Sequence, residues 1–196
     1  MKKQHSFTVL PEEYHEFYHV NLQQDKKTAL KINVTAAIVM VALFALGHFA
    51  FVPLSVMYQS SGTAAFLLRM AVLLAAYFAY IVLHELTHAA VMKLFKAKKL
   101  RFGFTGLYAY AGSEKDFFDK TAYIPIALAP LIVWGVIFTV LLMIVPCEWF
   151  WVAYFLQVGN LTGAAGDLYV TFKFSGMPKD ILIQDTGIEM FVYSKQ

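Results

Sequence analysis

Cysteine is nearly missing from this chain: Cys147 stands alone among 196 residues. An internal disulfide is therefore impossible, and so is a zinc ribbon or any other cysteine-built metal site. A metal would have to be held by histidine and carboxylate. Charge is almost as scarce, at 15% Asp, Glu, Lys and Arg against 59% hydrophobic residues, with a mean hydropathy of +0.58. Soluble domains carry about 25% charged residues, so this composition excludes an ordinary water-soluble globule, and its apolar content excludes disorder. The net charge of +3 is modest and comes from lysines at membrane edges, so no nucleic-acid partner is expected. There is no internal repeat and no low-complexity tract.

Present instead are four apolar stretches, each close to the ~20 residues that carry a helix across a bilayer: Val34–Val52, Ala64–Phe95, Tyr123–Val145 and Trp149–Phe172. About thirty mixed-charge residues precede the first, including Glu12, Glu13, Glu16 and Asp25, where a cleaved leader would carry a short basic segment. The first stretch therefore reads as a permanent anchor. Fifteen of the sixteen Lys and Arg residues fall before the first span, between the second and third, or after the fourth. Both termini are then expected in the cytoplasm, with Arg69 left as an interfacial anchor. The expected fold is an all-α membrane bundle of four transmembrane helices, forming one domain over 1–196: segment 1–33, core 34–172 and tail 173–196. Two cytoplasmic hairpins complete it. One lies in Lys98–Gly112, where large residues alternate around Gly103 and Gly106, and one in Asp180–Tyr193, where Asp185-Thr186-Gly187 makes the turn.

The pattern H-E-x-x-H occurs twice, at His15–His19 and at His84–His88. On a helix, residues four apart share a face, so two imidazoles can grip one Zn²⁺ while the Glu reaches water beside it. The first copy follows Pro11-Glu12-Glu13, which reads as the start of an amphipathic surface helix with His15 and His19 on its wet face. The second copy lies inside the second span, with no other charge from Met70 to Met92. Ionisable groups at that depth are expensive and mark function. His84 and His88 are thus the candidate ligands, and Glu85 the candidate acid and base.

A catalytic zinc takes a third protein ligand and leaves one position open. No histidine follows His88, so the choice falls among Glu114, Asp116, Asp119, Asp167, Asp180, Asp185 and Glu189. Depth favours Asp167, six residues before Lys173 on the fourth span, as His88 is five before Lys93 on the second. Small residues around it, Gly163, Ala164, Ala165 and Gly166, let helices approach closely. Asn160 lies on the same face as Asp167 and reads either as a clamp on a substrate backbone or as an interhelical hydrogen-bonding residue.

The HELTHA run at His84–Ala89, the hairpin after it, the ALAPL run at Ala127–Leu131 and the Asn160 to Asp167 element together resemble the site-2 protease group of intramembrane zinc metalloproteases. They resemble more closely the small bacterial four-span zincin peptidases. That likeness implies a zinc held near the cytoplasmic leaflet by His84, His88 and Asp167, with Glu85 moving the proton during hydrolysis of a membrane protein or peptide. It also implies a bacterial cytoplasmic membrane. The chain departs from the site-2 pattern in having Gly163 where that element carries proline, and Leu168 where Gly follows the aspartate. The hairpin, with Phe102 and Phe104, could take a substrate strand at its edge. Two other readings share the same residues: a zinc-bound scaffold that binds partners through its cytoplasmic sheet, and a metal-ion transporter.

Overall fold

The computed structural model describes residues 5–59, 62–106 and 108–195. Lys2 and Lys3, counted above for orientation, and Leu107 of the first hairpin lie outside the described residues. In chain order the elements are β1 (Ser6–Phe7), β2 (His15–Val20), α1 (Lys26–Leu46, continued by a π-helical turn Gly47–Phe51), α2 (Val56–Gln59) and α3 (Gly62–Leu94). There follow β3 (Arg101–Phe104), β4 (Ala109–Gly112), β5 (Phe117–Asp119), α4 (Lys120–Ile144), α5 (Phe150–Gly163), α6 (Ala165–Ser175), β6 (Leu182–Asp185) and β7 (Met190–Ser194).

Among the described residues three helical segments are long and apolar enough to cross a membrane: Lys26–Phe51, Gly62–Leu94 and Lys120–Ile144. The helix α1 buries none of its residues, and Phe78 on α3 and Met143 on α4 are 69% and 78% exposed. Leaving large apolar side chains in water costs about 25 cal/mol per Å², so these surfaces call for a lipid solvent. The fourth expected span is not one helix. It is α5 and α6, 14 and 11 residues long, divided at Ala164. The Thr162 hydroxyl donates back to the Val158 carbonyl at 2.9 Å, a contact that bends helices, and Gly163 and Gly166 on either side of the break support a continuous helix poorly.

By compactness the chain divides into two units. One comprises Ile32–Leu83 and Leu131–Ala165. Its core gathers on α5, where Trp151, Tyr154 and Val158 pack with Met57, and Leu156 with Tyr80 and Phe138. Two of its large aromatic side chains pair their polar atoms with backbone carbonyls, as buried groups generally do. The Trp151 indole donates to Val52 O at 3.1 Å, and the Tyr154 hydroxyl to Leu43 O at 2.6 Å. A side chain at Gly47 would collide with the Tyr154 ring, which explains the glycine there. Arg69 is 4% exposed, donates to Met57 O at 2.9 Å and lies 6.0 Å from the centre of the Trp149 ring. It is a buried interior residue of this unit and not a side chain reaching out to an interface.

The other unit comprises Met1–Lys31, His84–Pro130 and Gly166–Gln196. It holds a five-stranded sheet of order β1-β5-β6-β7-β2 and the separate β3-β4 hairpin, all pairs antiparallel. Phe118, Ile183 and Val192 from the sheet close on Met92, Tyr123, Ile126, Val170 and Phe174 from the helices, together the core of this unit. Both expected hairpins are present, with Gly106 and Gly187 at φ +87° and +84° in their turns, a region that side chains avoid. The sequence reading missed β1, β2 and β5. The expected amphipathic helix at His15–His19 is instead strand β2, an edge of the large sheet paired with β7. His-Glu-Phe-Tyr-His-Val is rich in aromatic and β-branched residues, which suit a strand, and beyond an extra residue at Phe17 the exposure alternates from Tyr18 to Val20.

Candidate metal centre

The helix α3 presents His84 and His88 one turn apart, their rings 5.0 Å between centroids and nearly perpendicular. Asp167 reaches them from α6. Its Oδ2 lies 3.3 Å from His84 Nε2 and its Oδ1 lies 3.5 Å from His88 Nε2. The break at Ala164 is what aims it: Asp167 falls in the first turn of a new helix, whose positive end favours a carboxylate. One ligand atom from each of the three residues fits within 4.8 Å of the others. All three belong to the same compact unit, and each side chain is at most 22% exposed.

The donor set fits a zinc ion. A tetrahedral zinc with bonds of ~2.0–2.1 Å separates its ligand atoms by about 3.3 Å, close to the two imidazole-to-carboxylate distances. The second imidazole supplies a chemical argument as well. His88 Nδ1 is 2.9 Å from the Ile126 carbonyl oxygen. A carbonyl only accepts, so the hydrogen sits on Nδ1. In the neutral ring, Nε2 is then a bare lone pair facing a carboxylate oxygen, an arrangement that a cation between them relieves.

Glu85, between the two histidines, is partly buried, and the backbone N–H of Ala111 in β4 faces its carboxyl. The hairpin therefore touches the group that would carry the proton. Nearby, Asp185 is buried at the end of β6 and accepts from the Tyr123 hydroxyl at 2.8 Å and the Gly187 N–H at 2.8 Å. Burial pushes its carboxyl above the usual carboxylate range, while those two donors hold it down.

The other candidate third ligands are occupied elsewhere or lie open. Glu114 pairs with Arg101 on the surface, and Asp180 is exposed. Asp116 accepts from Ser113 Oγ at 2.5 Å and from the Lys98 N–H at 2.9 Å, tying down the loop ahead of β3. Asp119 caps α4 through the Ala122 N–H at 2.8 Å and meets His5 Nδ1 at 2.9 Å. Glu189 takes Asn21 Nδ2 and lies 3.9 Å from His19. Asn160 belongs to the other unit, fully enclosed, accepting from the Tyr80 hydroxyl at 3.0 Å and donating to Leu131 O at 3.1 Å. Both bonds join helices within that unit. Phe102 and Phe104 stand 50% and 70% exposed on β3. The Ile126 carbonyl and the Ala111 N–H escaped sequence reasoning because backbone groups carry no residue-type signature.

A family model with the description "Putative zincin peptidase" matches residues 77–182, just over half of the chain. That span holds both histidines, Glu85, the hairpin and Asp167. Neither a curated protein nor a solved structure matches.

Proposed function

The chain belongs to this zincin peptidase family, and on that premise we propose that it is a membrane-embedded zinc metallopeptidase of the site-2 protease kind, cutting membrane-associated or membrane-spanning peptides near the cytoplasmic leaflet. The observation that carries the reading is the convergence of His84, His88 and Asp167 from two helices onto one point, with Glu85 beside them. A zinc ion in such a set is a Lewis acid that polarises a peptide carbonyl and activates water at neutral pH. Glu85 takes the proton from the attacking water as its oxygen bonds to the carbonyl carbon, and delivers that proton to the amine nitrogen as the C–N bond breaks. The Ala111 N–H holds the Glu85 carboxyl in place for both transfers.

The substrate must be extended to be cut. Strand β3 pairs with β4 on one side and has no strand on its other side among the described residues. A substrate strand added there would run beside Phe102 and Phe104. The distribution of lysines supports termini in the cytoplasm, and α5 with α6 would complete a fourth, broken crossing. Broken helices at membrane depth are tolerated where protein covers them, and α5 buries seven of its residues. The test is cleavage of a transmembrane peptide by the purified, detergent-solubilised chain, together with its metal content. Wild type should hold zinc and cleave, while Glu85→Gln should hold zinc and lose cleavage by about 10²–10⁴-fold. Equal cleavage by the two proteins would leave a zinc-bound scaffold, and wild type without zinc would end both readings.

A further inference from the structure

The helix α4 carries two prolines in its interior, Pro125 and Pro130. A proline has no N–H to give to the carbonyl four residues earlier, and its ring pushes that carbonyl off the helix axis. For Pro130 the released carbonyl is Ile126 O, and for Pro125 it is Thr121 O. Ile126 is 1% exposed, so water does not serve its carbonyl and another donor is required. That donor is the His88 Nδ1–H at 2.9 Å. The same bond turns Nε2 toward Asp167 Oδ1, 3.5 Å away. All four residues lie on His84–Pro130 and Gly166–Gln196 of one unit.

We propose that Pro130 is a positioning residue of the metal centre: by withholding an N–H it frees the Ile126 carbonyl, which holds His88 in its Nδ1–H tautomer with Nε2 presented to the metal. The inference rests on the zinc reading of the site. A histidine ligand whose other nitrogen is anchored binds its metal more tightly, typically by about 10- to 100-fold. Any other residue at position 130 brings an N–H that draws the Ile126 carbonyl back into the helix ladder and leaves the ring free to rotate or to change tautomer.

The experiment compares wild type with Pro130→Ala, Pro130→Val and Pro125→Ala, measuring zinc affinity by competition with a chelator and the His88 tautomer by ¹⁵N NMR of the metal-free protein above the imidazole pKa. The Pro130 variants should bind zinc about 10- to 100-fold more weakly and gain the Nε2–H tautomer. Pro125→Ala, which restores an N–H to the same helix opposite a different carbonyl, Thr121 O, should leave both unchanged. Equal weakening by Pro125→Ala would reduce the effect to a helix kink, and an unchanged affinity in the Pro130 variants would overturn the proposal. Should those variants fail to fold, wild type alone decides, because an Nε2–H tautomer at His88 contradicts the proposal. Should wild type bind no zinc, the zinc reading fails, while the tautomer comparison still tests the role of Pro130.

Discussion

The same five-residue pattern is built twice in this molecule, once on a strand and once on a helix, and among the described residues only the helical copy brings its histidines together with a third candidate ligand. On α3 the four-residue spacing is about one turn, a rise of ~6 Å, which brings the rings of His84 and His88 to 5.0 Å. On β2 the same spacing runs ~13 Å along a regular strand, somewhat less here because the extra residue at Phe17 sets four residues against three of β7. His19 lies flat on Phe191 at 4.5 Å between centroids, and Glu16 stands exposed opposite Tyr193. The residues are equivalent as chemistry. What differs is the period of the backbone beneath them, and that period decides whether two imidazoles meet.

Removing the candidate ligands should separate the two copies by the largest effect. His84→Ala or His88→Ala takes one of three ligands from the site and should reduce zinc from about one ion per chain to none, and cleavage with it. His15→Ala and His19→Ala should leave zinc content at the wild-type level. Metal analysis of purified protein reads all four, and loss of zinc in either strand variant would reverse the assignment. The central carboxylates come next. Glu16→Gln should cleave as wild type does, against the 10²–10⁴-fold loss expected for Glu85→Gln.

A smaller effect tests how the sheet supports the helical copy. A side chain at Gly112 would fall on the backbone of Thr186 and Gly187, in the turn of the tail hairpin, where the Ser113 N–H also donates to Asp185 O at 2.6 Å. Backbone cannot move aside as a flexible side chain can. Gly112→Ala should therefore cost about 1–3 kcal/mol of stability, read by denaturation in detergent. Because the N–H of Ala111 next to it faces the Glu85 carboxyl, cleavage should fall further than zinc affinity. A fall in zinc affinity alone would place the support at the histidines instead.

How far the sequence was legible follows from the kind of signal each feature leaves. The first three spans were legible as long apolar runs, and the two hairpins as alternation around glycine turns. Asp167 was found through depth, counted from Lys173. The break before it was not, although Thr162, Gly163 and Gly166 were in view, because a long apolar run masks a bend whose cause is one hydroxyl turned onto its own helix. The N-terminal copy misled because Pro11-Glu12-Glu13 imitates a helix start, while its strand partner β7 lies some 170 residues away in sequence. Pairing across such a distance leaves no local trace. Arg69 was read from its position near a span end, and its real partner, the Met57 carbonyl, is again a backbone group.

The smallest expected effect concerns what the strand copy does if it binds no metal. His19 contributes a flat stack on Phe191 and a long, partly exposed approach to Glu189 at 3.9 Å. A ring stack is worth about 0.5–1.5 kcal/mol, and a solvent-screened pair between roughly 0 and 1 kcal/mol. The stack should therefore dominate. His19→Ala is expected to lower stability by about 1 kcal/mol, whereas His19→Phe, which keeps the ring and discards the charge partner, should stay close to wild type. Combining each with Phe191→Ala separates the two contributions, since the stacking energy then vanishes from the difference. Zinc affinity should not move in any of these variants, because no residue of β2 belongs to the candidate group His84, His88 and Asp167. If His19→Phe instead cost as much as His19→Ala, the imidazole nitrogen rather than the ring face would be what the edge strand needs, and the strand copy would have a polar role of its own.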